Sequence, residues 1–203
     1  MTKIYFDVGA NNGSSMIHHA QNSSDNIVYA FEPTPEMTDI IRKNTNHLKN
    51  YHLVQKAVSN YNGTASFYVA GNADWGCSSL NQFNDNLDKT WPGRTDFVVT
   101  NEIKVDVIRL DTFIQEHGIT EIEYLHVDVQ GQDLEVLMGL GDAINIVKGG
   151  VIEMPSCHER KLYKDQNYTK DDAVQFLQSH GFSISGISSN DTFNNEVNIT
   201  FKK

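Results

Sequence analysis

Asp7-Val8-Gly9-Ala10-Asn11-Asn12-Gly13 stands between a short apolar run, Ile4 to Val8, and a helical pattern from Gly13 to about Gln21. A strand, a glycine turn and a helix in that order mark the place where α/β sheets bind nucleotide-like ligands. Gly9 and Gly13 allow a tight turn and a close backbone approach, and the helix start offers free N–H groups. The spacing is G-x-x-x-G, so the G-x-G-x-x-G of a dinucleotide site is absent and a nicotinamide oxidoreductase is disfavoured. Asp7 would repel a diphosphate and suits a ligand carrying an amino group.

Working outward, Ile27–Phe31 reads as a second buried strand, and Thr34-Pro35-Glu36 as a helix start with cap, proline and first-turn acid. Tyr51–Val58 reads as a third strand, Thr64–Val69 as an added strand after the Asn62-Gly63 turn, and Ile103–Ile108 as extended. Ile122–Val129 and Val147–Met154 are further strands, with a helix marked by Leu134, Leu137 and Met138 between them. Thr169–Asp172 forms a capping box, and Phe182–Ile187 with Glu196–Phe201 reads as an antiparallel pair. Strands alternating with helices over 203 residues predict one α/β domain spanning 1–203.

Sixteen Lys and Arg against 26 Asp and Glu give a formal charge of -10, with no basic cluster, which argues against a nucleic-acid partner. No apolar run has the length of a membrane span, and Asp7 falls where a signal peptide would be apolar. A soluble, cytoplasmic protein is expected. Cys77 and Cys157 are 80 positions apart with no ligand spacing and read as reduced thiols.

Glu32 ends the second strand, 25 positions after Asp7, where a carboxylate can accept both hydroxyl protons of a ribose. Together Asp7, the glycines and Glu32 describe an adenosyl ligand bearing an amino acid and no phosphates, S-adenosylmethionine. The chain resembles the FkbM-family methyltransferases. The matching stretches are DVGANNGSS at 7–15, YAFEPTPE at 29–36, KAVSNYNGTASF at 56–67, LDTF at 110–113, LHVDVQGQDLEVLMGLG at 125–141 and VIEMP at 151–155. The segment at 125–141 departs from the family pattern at His126, Gln130 and Asp133, where Lys, Glu and Glu are usual.

The resemblance implies a Rossmann-like seven-stranded mixed sheet, only the last strand antiparallel, with helices on both faces. It implies that Asp7, Gly9, Ala10, Asn11 and Gly13 surround the methionine end of S-adenosylmethionine, with Glu32 on the ribose. It puts Pro33, Lys56 and Ala57 near the adenine, and Ser79 closing over the cofactor. The acceptor it implies is a hydroxyl oxygen of a sugar, glycan or other small molecule. Nitrogen methylation is demoted because Asp128-Val129-Gln130-Gly131 replaces the Asn/Asp-Pro-Pro-aromatic signature. A cofactor-binding module without catalysis is the other alternative, and a second copy of the chain could complete the acceptor site.

A hydroxyl acceptor needs a base as it attacks. His158 is the expected base on intrinsic pKa, with Asp128 and Glu153 at the same strand ends orienting acceptor or cofactor. Asp128 and Glu153 could also be metal ligands, but neither loop holds an Asp-Asn pair, and metal independence is expected. The polar segment 71–100 is expected to cover the acceptor site. In it Trp75, Trp91 and Arg94 suit an acceptor with a flat face, while the two tryptophans could instead pin the segment to the domain.

Overall fold

The computed structural model describes residues 2–71, 75–85 and 87–203, and for Trp75 the backbone alone. Among the described residues ten strands and five α-helices follow in the order β1 (Lys3–Val8), α1 (Ile17–Asn22), β2 (Asn26–Phe31), α2 (Pro35–Thr45), β3 (Tyr51–Val54), β4 (Ala57–Val58), β5 (Gly63–Ala70), β6 (Val99–Ile108), α3 (Leu110–His117), β7 (Tyr124–Val127), α4 (Asp133–Met138), β8 (Gly149–Pro155), α5 (Lys170–Ser179), β9 (Ser183–Ser189) and β10 (Glu196–Lys202). Seven of the strands form one sheet in the order β3-β2-β1-β7-β8-β10-β9, and β4-β6-β5 form a second. In the large sheet β10 alone runs antiparallel, against both β8 and β9. This is the Rossmann-like mixed sheet expected from the sequence.

Alternation along β1 splits the core between the two faces. Tyr5 packs with Met16, Ala20 and Ile41 under α1 and α2. Phe6 and Val8 face the opposite way, toward Phe31, Phe113, Leu125 and Leu137 under α3 and α4. Ala173 and Leu177 of α5 belong to that second core.

Local chemistry decides several boundaries. The capping box of α5 forms as expected, with the Thr169 amide and hydroxyl both donating to Asp172 Oδ2. At the start of α2 the Thr34 hydroxyl instead donates to Glu32 Oε1 at 2.6 Å and leaves the helix without a side-chain cap. The expected third strand, Tyr51–Val58, is broken. A tight turn closed by the Lys56 amide on the Val54 carbonyl sends the chain out of the large sheet, and Ala57–Val58 pairs with β6. Helix α3 has no counterpart in the hydrophobic-period reading, although LDTF at 110–113 lies in it.

Among the described residues no helix is long and apolar enough to cross a membrane.

Candidate active site

The parallel strand ends of β1, β2 and β7 open on a cleft. It is lined by Gly9, Asn11, Phe31, Glu32, Pro33, Lys56, Ala57, Val58 and Phe67, and by Gly76, Ser78, Leu80, Asp128, Val129 and Gln130. Gly9 has φ +84°, and a Cβ there would sit 1.8 Å from the Asp128 carbonyl oxygen. Only glycine lets the ends of β1 and β7 meet this closely. Asn11 follows at φ 49°, and its amide donates to Glu32 Oε2 at 3.0 Å. Glu32 also accepts the Thr34 amide at 2.9 Å, so its carboxylate ties the glycine turn to the start of α2. Burial pushes the Glu32 carboxyl up to about 7, against the hydrogen bonds from Thr34 and Asn11 that favour its charged form.

A second cavity adjoins the first. Gly76, Asp128 and Gln130 line both. The rest of its wall comes from Cys77, Trp91, Arg94, Phe97 and Leu162, from Glu153 near the end of β8, and from Asn190, Asp191 and Glu196 around the β9–β10 turn. The Gln130 side-chain amide is the hub. Its Nε2 donates at 2.7 Å to Asp128 Oδ1 and at 2.7 Å to Glu153 Oε2, and its Oε1 lies 2.8 Å from the buried Tyr163 hydroxyl.

Gln130 has φ 60°, in a turn held by Asp133, whose oxygens accept the Val129 and Gly131 amides. Burial pushes Glu153 well above the ordinary carboxylate range, with the charges of Asp128, Glu196 and Asp133 adding to it. Glu196 is pushed up to about 8 by burial and then by the charges of Asp128, Asp133 and Asp191.

The structure brings together Gly9, Asn11, Glu32, Pro33, Lys56, Ala57 and Asp128 in the cleft, and Trp91, Arg94, Asp128 and Glu153 in the second cavity. Several expected residues stand elsewhere. Asp7 is 0% exposed and lines neither cavity. It shares the face of Tyr5 and pairs across the sheet with His126, whose Nδ1 lies 2.8 Å from its Oδ1. Burial works to lower the His126 pKa, but the hydrogen bond and charge of Asp7 outweigh it and the net shift is upward. Ala10 is buried against Tyr5 and Met16, and Gly13 closes the turn behind the cleft through its amide on the Ala10 carbonyl.

Ser79 does not close over the cleft. It is 1% exposed, its hydroxyl donates to the Gln130 carbonyl, and it pins the segment that its neighbours Ser78 and Leu80 present to the cleft. His158 is exposed and lines neither cavity. Beyond β8 the Ser156 amide bonds the Asn195 carbonyl, and this turns the chain away before His158 is reached.

Of the segment 71–100, residues 72–74 and 86 and the Trp75 side chain lie outside the described residues. Trp91 is buried in a small core with Leu162 and Tyr163 and gives the second cavity one edge, so it pins the segment as well as lining the cavity. Arg94 lies over Phe97 at 4.3 Å and bonds Asp96 through Nε at 2.7 Å. Among the described residues no three His, Cys, Asp or Glu are grouped to hold a metal ion.

The sequence reading missed Gln130 as a hub and Asn190, Asp191 and Glu196 altogether. Gln130 carried a signal as a departure inside a motif. Glu196 carried only an acid at the start of an apolar strand.

Residues 7–184 match the model of the methyltransferase FkbM domain. A 2-O-methyltransferase NoeI of Sinorhizobium fredii is 30% identical over 141 residues, 67% of this chain, and the matched part spans only 56% of that relative's length. The 31-O-demethyl-FK506 methyltransferase FkbM of Streptomyces tacrolimicus is 27% identical over 198 residues, covering 89% of this chain and 73% of the relative.

Among solved structures, Aeropyrum pernix fibrillarin with natively bound S-adenosyl-L-methionine superimposes with a TM-score of 0.56 at 10% identity, covering 98% of this chain and 66% of that one. A Streptococcus mutans protein in complex with SAH gives 0.53 at 11% identity, covering 100% of this chain and 89% of that one. Both likenesses are of fold. With its motifs in order and the family model covering residues 7–184, the chain belongs to the FkbM methyltransferase family.

Proposed function

We propose that this protein transfers a methyl group from S-adenosylmethionine to a hydroxyl oxygen of a sugar, glycan or other small molecule. The observation that carries the reading is the shared wall. Asp128, Gln130 and Gly76 border both cavities, so a donor in one and an acceptor in the other would meet beside Asp128.

The cleft fits the adenosyl donor. Pro33, Ala57, Val58, Phe67 and Leu80 offer apolar surface for a flat base, and Glu32 Oε2, which accepts only the Asn11 amide, has room for a ribose hydroxyl. Gly9 and Asn11 adjoin Glu32, and among the described wall residues only Lys56 is cationic, which suits a ligand without phosphates. When bound, S-adenosylmethionine supplies a methyl group on a sulfonium, whose leaving group is already activated.

The chain's own residues then position and deprotonate. Asp128 takes the proton of the attacking hydroxyl, in the role first expected of His158. Gln130 fixes Asp128 through its 2.7 Å hydrogen bond and holds Glu153 beside it. The segment carrying Gly76, Trp91 and Arg94 covers the acceptor, and alignment across the shared wall supplies most of the rate.

Calorimetric titration tests the reading. S-adenosylhomocysteine should bind at micromolar concentration and NADH should not. Asp128→Asn should keep that affinity while lowering turnover by about 10²-fold or more, the usual worth of a positioned base. No adenosyl binding, or wild-type turnover in the variant, would overturn it.

A further inference from the structure

The carboxylates of the second cavity are not equally provided for. Both oxygens of Asp191 accept hydrogen bonds from its own turn, including the amides of Phe193 and Glu196. Glu153 is held by Gln130 and by the Asn190 side-chain amide, and Asp128 by Gln130. Glu196 differs. It is 7% exposed and lines the cavity, yet no described residue donates a hydrogen bond to its carboxylate.

The cation on that wall, Arg94, holds Asp96 through Nε and Nη2. Its influence on Glu196 is smaller than that of Asp128, Asp133 or Asp191. Strand register sets the position: Asn198 is opposite Glu153 and Glu196 opposite Pro155, so Glu196 lies two residues beyond Glu153 on the same face of the sheet.

A buried carboxylate with no donor is costly unless it takes up a proton or meets a positive charge. A neutral hydroxyl compound would offer Glu196 a hydrogen bond but leave the charge excess of this wall unchanged. An ammonium supplies both donor and charge. We propose that the second cavity takes a hydroxyl compound that also carries an ammonium group, with the ammonium seated on Glu196 and the reacting hydroxyl beside Asp128. The placement of the hydroxyl rests on the methyl-transfer reading above; the ammonium seat rests on Glu196.

The test uses the protein saturated with S-adenosylhomocysteine, whose binding is verified first, and titrates glucosamine, N-acetylglucosamine and glucose at pH 7. Glucosamine should bind about tenfold more tightly than either neutral sugar, as a hydrogen bond between charged groups allows, and should release a proton on binding, because Glu196, pushed up to about 8, is largely protonated at pH 7 until the ammonium seats. Glu196→Gln should bring the three within about threefold of one another while leaving S-adenosylhomocysteine affinity unchanged. Equal binding of the three by the wild-type protein, no binding of glucosamine, or discrimination that survives in Glu196→Gln would each overturn the ammonium seat and leave methyl transfer standing. Failure of S-adenosylhomocysteine itself to bind would overturn the methyl-transfer reading, and this proposal with it.

Discussion

Glu32 and Glu196 are both buried carboxylates on cavity walls, and both are pushed up by burial, to about 7 and about 8. Their surroundings are opposite. Glu32 receives the Asn11 amide, the Thr34 amide and the Thr34 hydroxyl, all from residues adjoining its own strand end or the neighbouring turn. Glu196 receives no side-chain hydrogen bond from any described residue, and its neighbours across the cavity come from segments far apart in the chain. One carboxylate is held in place before any ligand arrives. The other is left to be satisfied by what binds. The cleft is thus organised around Glu32 by the chain itself, and the second cavity leaves Glu196 open to what enters it.

The largest expected effect falls on the cleft. Gly9→Ala places a Cβ on the Asp128 carbonyl and forces a non-glycine residue to φ +84°. Backbone on backbone cannot yield as a flexible side chain does, so the β1 and β7 ends must separate. The expected cost is ~3 kcal/mol or more in unfolding free energy, from strain and overpacking together. Adenosyl binding should be lost with it. Chemical denaturation that shows wild-type stability would mean that the two strand ends are not in the contact described.

Glu32→Gln is next. The amide keeps one acceptor oxygen for the Thr34 or the Asn11 donor but gives up the charge that strengthens ribose hydrogen bonds. Hydrogen bonds to a charged group are worth roughly 1.5–3 kcal/mol, so S-adenosylhomocysteine affinity should fall about 10- to 100-fold. Glucosamine binding, measured at saturating adenosyl ligand, should hardly change. Parallel losses at both ligands would mean that the two sides are not separate in the way this comparison requires.

The same contrast explains what the sequence made legible. The cleft is built of local units: Asp7–Gly13 in a strand–turn–helix, and Glu32 one step beyond a strand that pairs with β1 in full register. Spacing of 25 positions is then enough to put Gly9, Asn11 and Glu32 on one wall. Asp7 does not line the cleft, because its place along β1 turns its side chain to the face of Tyr5 and His126.

His158 was misplaced because nearness to a strand end says nothing of where the following loop goes. The Ser156 bond to Asn195, 39 positions away, decides that. Glu196 reaches the cavity only through the antiparallel return of β10 beside β8. The period of a strand shows that it exists; it does not show which neighbour it will take.

The smallest expected effect is on stability and separates the two carboxylates by pH. Glu32, Asp133 and Glu196 have folded-state pKa values of about 7, 7 and 8, above the ordinary 4.5, 3.8 and 4.5. A carboxyl whose pKa is raised by folding holds its proton more firmly in the native state. Its stabilising contribution is complete below about pH 4 and is lost as pH rises through 7 to 8. The ligand-free protein should therefore melt at a lower temperature at pH 9 than at pH 5.5.

Glu196→Gln keeps the shape of the neutral form at every pH. It should match the wild type at pH 5.5 and exceed it at pH 9 by on the order of 1 kcal/mol, or ~2–4 °C. That figure is below the full shift because Asp128 and Asp133 share the same charge excess and would readjust. A Glu32→Gln variant should gain less, since the Glu32 carboxyl is raised only to about 7 and the amide gives up an acceptor for the Thr34 and Asn11 donors. If both variants gained equally at pH 9, burial alone would set the two carboxylates and the hydrogen bonds around Glu32 would make no difference. A larger gain in Glu196→Gln would mark it as the carboxylate whose partner comes from outside the chain.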